Sequence, residues 1–195
     1  GGEQTWPQRS NQMGFGLVGK TLGSLGFGGI AGEMFRMASV YNMRFIAHDP
    51  FRNTEINQDL EVEMVELEQL FRESDILCIN CDLNPETENL VDSNLLSLMK
   101  PTSFFINTAR GPIVNQQDLT DVLQKDKIAG AGLDVYENEP DINSKLKSLS
   151  NVVLLPHIGS ATIEGREQMG EKVIINIQTF VDGHTPPDVV LETML

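Results

Sequence analysis

The stretch TLGSLGFGGIAGEMF, residues 21–35, places five glycines (Gly23, Gly26, Gly28, Gly29 and Gly32) ahead of an apolar, helix-like run. A glycine cluster alone does not separate a flexible turn from a loop built to hold phosphate. Its neighbours decide. KTLGSLGF (20–27) reads as a strand, and IAGEMFRMASVY (30–41) as a helix with Ile30, Met34, Met37 and Val40 near one face. Gly26-Phe27-Gly28-Gly29-Ile30-Ala31 therefore follows a strand and opens a helix, the context that the GxGxxG/A dinucleotide fingerprint requires. The first glycine permits the tight turn, the second lets backbone approach a pyrophosphate, and Ala31 is small enough for helix and strand to pack. The helix start offers unpaired N–H groups to the phosphates. FIAHDP then ends the next strand on Asp49, a carboxylate placed to accept both ribose hydroxyls of NAD and to repel the 2′-phosphate of NADP.

Outward from this unit, strands and helices alternate. MRFIAHD (43–49), DILCINC (75–81), SFFINTA (103–109), IAGAGLDV (128–135) and NVVLLPH (151–157) read as strands. VEMVELEQLFRES (62–74), DSNLLSLM (92–99, capped by Asp92 or Ser93), NQQDLTDVLQKDK (115–127) and a final helix over 162–183 read as helices. The final helix opens on Thr162 with Gly165 three residues on, so no capping box is present. Strands joined by crossover helices predict an α/β, doubly wound parallel sheet of the Rossmann type.

Bulk composition narrows the function. The 195 residues are 40% hydrophobic and 22% charged, enough for one well-packed globular domain. The net charge of −14 argues against nucleic acid and anionic membrane as partners, so an anionic ligand must be held by local dipoles and a few placed cations. The opening GGEQTWPQRSNQ does not read as a signal peptide, and no apolar run is long enough for a transmembrane span. Cys78 and Cys81 form a CxxC inside an apparent buried strand; they read as structural thiols in a reducing, cytoplasmic setting, with no further ligands for zinc nearby.

GFGGIA, HDP, NPETENLVDSNLLSLMK, INTARGPIVN, GAGLDVYENEP and LLPHIGSAT, in this order over roughly residues 18–165, resemble the D-isomer-specific 2-hydroxyacid dehydrogenases. The resemblance implies an NAD-dependent oxidoreductase acting on a small 2-oxo acid, with a catalytic triad of Arg110, Glu139 and His157. It further implies nicotinamide-side contacts from Thr108, Ala109 and Asp134 and from backbone after His157, Gly159 included. The cofactor-binding set is then Gly26, Gly28, Gly29, Ile30, Asp49, Thr108, Ala109, Arg110, Asp134, His157 and Gly159. Glyoxylate and hydroxypyruvate reductases look most similar, with D-3-phosphoglycerate dehydrogenase close behind; an NAD-sensing co-repressor of the same fold retains the same residues. Formate dehydrogenases of the superfamily carry Gln where Glu139 stands, which argues against that branch. The family pairs as homodimers and builds its substrate-binding domain mainly from an N-terminal part. Residues 1–195 accordingly read as the dinucleotide-binding domain with its C-terminal helix, without that substrate domain.

The residue chemistry agrees with the implied roles. A 2-oxo acid carries a carboxylate beside a carbonyl, and Arg110 offers a planar fork that stays charged at neutral pH. Hydride arriving at the carbonyl carbon creates an alkoxide that needs a proton, and histidine titrates near working pH. Glu139 would hold the other ring nitrogen of His157. Asp134 lies in an apolar strand, a costly place for a carboxylate without hydrogen bonds. His48 and His184 read as ordinary structural histidines. Three departures from the family pattern stand out: Ala31 in place of a third glycine, Gly29 where a polar or basic side chain is usual, and Ser24 inside the first strand, expected to weaken it slightly.

Overall fold

In the computed structural model, which describes residues 14–51 and 56–189, the glycine stretch lies at the centre of a seven-stranded sheet. The strands are β1 (Thr21–Leu25), β2 (Arg44–His48), β3 (Glu63–Met64), β4 (Ile76–Ile79), β5 (Phe104–Asn107), β6 (Gly130–Leu133) and β7 (Val152–Leu154). Their order is β3-β2-β1-β4-β5-β6-β7, and every pairing is parallel. The chain runs outward one way from β1 and then returns to start again at β4. The crevice between β1 and β4 is thus the switch point at which such sheets bind ligands, beyond the strands' carboxyl ends.

The connecting helices are α1 (Gly29–Ala38), α2 (Leu67–Glu73), α3 (Ser93–Leu96), α4 (Gln116–Gln124), α5 (Ser144–Lys147) and α6 (Ile163–Val181). Period-two alternation sorts the strands between two cores. Ile76 and Cys78 of β4 and Phe45 and Ala47 of β2 pack with Ala31 and Phe35 of α1. Leu77 and Ile79, with Ile46, pack on the other face among Leu70, Phe71, Leu96, Leu119 and Leu123 from α2, α3 and α4. Both faces are covered, as the near-continuous apolar strands require. Cys78 and Cys81 are partly buried, and both thiols are free; desolvation pushes the Cys78 thiol up to about 12 and that of Cys81 to about 11.

Several expectations need correction. The face of α1 turned to the sheet carries Ala31, Gly32 and Phe35, with Met34 alongside, whereas Ile30, Met37 and Val40 are exposed. Ala31 is small enough for the helix to pack on the sheet, and Gly32 packs on the loop between β2 and β3, where a Cβ would overlap the Asn57 side chain. The stretch 62–74 is not one helix, because Glu63–Met64 pairs with Ile46–Ala47 as β3 before α2 begins. A two-residue strand is too short to announce a period. Ser24 is fully buried, yet its hydroxyl donates to the Gly26 carbonyl at 2.6 Å and accepts from Asn80 Nδ2 at 2.8 Å. It therefore leaves no unsatisfied polar group in the strand and ties the glycine turn to the end of β4. Asp92 is the cap of α3, accepting from Asn94 and Leu95 N–H. Thr162 caps α6 through Gly165 N–H without a reciprocal bond. The opening segment, residues 1–13, lies outside the described residues.

Candidate active site

The turn after β1 is forced on Gly26. Its φ is +93°, and a Cβ there would stand 2.6 Å from Cys81 N and 2.8 Å from the Asn80 carbonyl, so only glycine fits. Its N–H donates to His48 O, and Asn80 N–H to Leu25 O, which sets the loops after β1, β2 and β4 side by side. Asp49 accepts Phe27 N–H at 2.8 Å through one oxygen and Phe51 N–H at 2.9 Å through the other. The ribose-selecting carboxylate expected from the sequence is thus fastened to the glycine loop itself. His48 Nδ1 bonds Val65 O at 2.9 Å, a structural role.

These loops enclose a cavity of about 560 Å³, lined by Gly26, Gly28, Gly29, Ile30 and Asp49 among others. A Cβ at Gly28 or Gly29 would meet nothing within 4 Å, so the loop is open toward the cavity. Gly28 caps α1 without a side-chain bond, and no acidic residue occupies the first turn. The start of α1 therefore opens to the cavity with no acidic side chain of its own turn across it, a fit for a pyrophosphate. No lysine or arginine is among the described lining residues. The groups this end of the cavity offers to an anion are backbone N–H groups, in keeping with Gly29 where a basic side chain is usual.

The remaining expected residues lie outside this cavity, at the carboxyl ends of β5, β6 and β7. After β5, buried Asn107 donates to Arg110 O at 3.0 Å and accepts Ala109 N–H at 3.0 Å, folding Thr108–Arg110 into a tight turn. Among the described residues the exposed Arg110 guanidinium bonds the Ala109 carbonyl (2.7 Å) and has no carboxylate partner. Gly111 packs so closely on the Tyr136 backbone that a Cβ would overlap it, joining the Arg110 turn to the loop after β6.

That loop carries Glu139, whose Oε2 lies 2.7 Å from His157 Nδ1 and whose Oε1 accepts Tyr136 N–H at 3.0 Å. The His157 hydrogen bond, with the Tyr136 N–H, holds the Glu139 carboxyl below its usual range against the opposing effect of burial. An ionised carboxylate only accepts, so Nδ1 carries the proton and Nε2 is the outward nitrogen. His157 has φ +54°, a left-handed conformation costly for a residue with a Cβ. Asp134, only 3% exposed, holds the chain there: its two oxygens accept Ile158 N–H (2.8 Å) and Gly159 N–H (2.7 Å). The Gly159 N–H is therefore already engaged.

The sequence that builds this glycine cradle, the Glu139–His157 pair and the Arg110 turn at the strand ends matches a known family pattern. Residues 2–159 fit the D-isomer specific 2-hydroxyacid dehydrogenase, NAD binding domain. The chain belongs to this family. It is 43% identical over 183 residues to a glyoxylate reductase of Thermococcus litoralis, covering 94% of this chain and 55% of the relative. A glyoxylate reductase of Pyrococcus furiosus is also 43% identical, over 91% of this chain and 53% of its own. The holo form of Rhodotorula graminis D-mandelate dehydrogenase superposes with a TM-score of 0.88 at 30% identity, over 97% of this chain and 58% of that one. The chain thus spans about half the length of the curated relatives it matches. Its cofactor is NAD, and the open glycine cradle with Asp49 beside it fits that group.

Sequence reasoning missed Asn107, Tyr136 and Gln116, whose Oε1 accepts Glu137 N–H at 3.2 Å. Asn107 had a signal: an amide ending an apolar strand needs partners. Tyr136 had none, since a buried aromatic looks the same whether its hydroxyl is used or not.

Proposed function

We propose that the protein carrying this chain reduces a small 2-oxo acid, glyoxylate or hydroxypyruvate, to the D-2-hydroxy acid with NADH. The observation that carries the proposal is the Glu139–His157 hydrogen bond at the carboxyl edge of the sheet whose glycine loop forms the dinucleotide cradle. Bound NADH supplies the hydride. Arg110 grips the substrate carboxylate with its two-pronged guanidinium and draws electron density from the adjacent carbonyl oxygen. His157 Nε2 delivers the proton to that oxygen as it gains charge. Glu139 holds the ring by Nδ1 and stabilises the imidazolium before transfer. Asp49 takes the ribose hydroxyls and Gly26–Ile30 the pyrophosphate. Thr108, Ala109 and the Gly159 carbonyl take the nicotinamide end, and Asp134 supports it by holding the Ile158–Gly159 turn.

We assign residues 1–195 to the dinucleotide-binding domain, and the groups that close over substrate and select its side chain to the relatives' additional length. We further propose a homodimer, supported by apolar residues exposed along α6, among them Ile163, Val173 and Phe180. A cytoplasmic location accords with the free thiols, and among the described residues no helix is long and apolar enough to cross a membrane. The test is NADH oxidation by the intact protein against glyoxylate, hydroxypyruvate, pyruvate and phosphohydroxypyruvate. Turnover fastest with glyoxylate or hydroxypyruvate is expected; no turnover of any, with NADH still bound, would favour a sensing role.

A further inference from the structure

We propose that Tyr136 is a positioning residue that keeps Arg110, Glu139 and His157 in register. The proposal rests on the reading of those three as the reducing site.

Tyr136 follows β6 by three residues and is 4% exposed. It reaches each of the three by a separate contact. Its backbone N–H donates to Glu139 Oε1 at 3.0 Å, leaving Oε2 for His157 at 2.7 Å. Its phenol lies 2.7 Å from Leu155 O and 3.1 Å from Leu133 O. Leu133 O already accepts Leu155 N–H at 2.9 Å, and a phenol has one proton, so that proton goes to the shorter contact, Leu155. Leu155 lies just beyond β7, two residues before His157. The hydroxyl therefore anchors the approach to the left-handed His157, while Asp134 anchors the exit at Ile158 and Gly159. The third contact is with Gly111, where a Cβ would overlap the Tyr136 carbonyl, so that the Arg110 turn packs against the same residue.

The phenol remains a donor across the working range. Burial first, then the nearby Asp134 and Glu139 carboxylates, raises its pKa against the lowering effect of the Leu155 bond. Phenylalanine fills the same volume and keeps the backbone N–H, so Tyr136→Phe removes the Leu155 anchor alone. With the His157 end loosened, the Glu139–His157 bond weakens and the imidazolium loses support.

The experiment is a double-variant cycle in the intact protein. Y136F is expected to lower kcat about three- to tenfold, leave the Kd for NADH unchanged, and move the alkaline limb of the pH profile to lower pH. In an E139Q background that pH shift disappears, because the partner through which Tyr136 acts is gone. A purely structural role would instead lower Tm in both backgrounds and leave the pH profile where it was. A readout free of turnover is the NMR signal of the His157 Nδ1–H proton in this chain, which Y136F is expected to weaken by faster exchange with water as the bond to Glu139 loosens. Y136M, a flexible filler without the hydroxyl, repeats both measurements should Y136F misfold. A weakened Nδ1–H signal in a protein that reduces no 2-oxo acid would overturn the functional reading and support the positioning role. Turnover with neither the pH profile nor that signal changed would overturn the positioning role alone.

Discussion

His157 Nδ1 lies 2.7 Å from Glu139 Oε2 even though the His157 backbone is left-handed at φ +54°. A conformation that costs roughly 1–2 kcal/mol persists because Asp134 binds both N–H groups that follow it. The strained residue is the one whose ring must point outward, and the buried carboxylate stabilises the turn that points it.

Glu139→Gln keeps the shape and removes the charge. The imidazolium loses its counter-ion, so the alkaline limb of 2-oxo acid reduction is expected at lower pH, with activity retained under acidic conditions. An unshifted profile would mean that the two side chains are not coupled in catalysis. Stability carries a second signature. Because the folded Glu139 pKa is lowered by His157, its contribution is present above the unfolded value of about 4.3. That contribution is lost as pH falls through the folded value. Melting curves between about pH 5 and 3 are expected to fall more steeply for the native chain than for E139Q.

Cofactor choice follows from Asp49. A carboxylate fixed to the Phe27 and Phe51 N–H groups cannot swing away from a 2′-phosphate. NADH is expected to bind this chain about ten- to thirtyfold more tightly than NADPH, about 1.4–2 kcal/mol. Titration with both cofactors reads this directly, and Asp49→Ala is expected to narrow the gap. Equal affinities in the native chain would place Asp49 away from the ribose.

The two glycines of the loop are expected to behave in opposite ways. Gly26→Ala meets Cys81 N at 2.6 Å in a positive-φ turn and is expected to cost about 1–3 kcal/mol and to abolish NADH binding. Gly29→Ala enters open space in the first turn of α1 and is expected to leave stability unchanged within about 0.5 kcal/mol. Thermal melts of the two variants, with and without NADH, check both.

Arg110 has no carboxylate partner among the described residues, so its removal leaves no buried charge behind. Arg110→Ala is therefore expected to fold normally while raising KM for the 2-oxo acid and lowering kcat. Arg110→Lys is expected to recover little, since an ammonium cannot make the two-pronged contact. Steady-state kinetics of both variants alongside their melting curves separates substrate binding from stability.

The fold was legible because the strands that matter are apolar on both faces and Gly26 marks the switch point. The place of Asp49 beside the glycine loop and the contact of Glu139 with His157 were legible as well, each residue standing at the end of a strand pattern or in a distinctive motif. The outward face of α1 was not. Ile30, Met37 and Val40 repeat at helical spacing, and nothing in that spacing reveals that Ala31 and Phe35 face the sheet instead. β3 was hidden by its length. Asn107 and Tyr136 were hidden for a different reason: their work is done by hydrogen bonds to carbonyls distant in sequence or across a turn, which residue type alone does not disclose.

In the proposed reaction His157, held by Glu139, gives the proton that completes reduction. The measurement that decides this is kcat for His157→Ala in the intact protein, taken beside the Kd for NADH. A loss of about two to four orders of magnitude in kcat is expected, with NADH binding nearly unchanged. Near-full activity in that variant would contradict it and place the proton donor elsewhere.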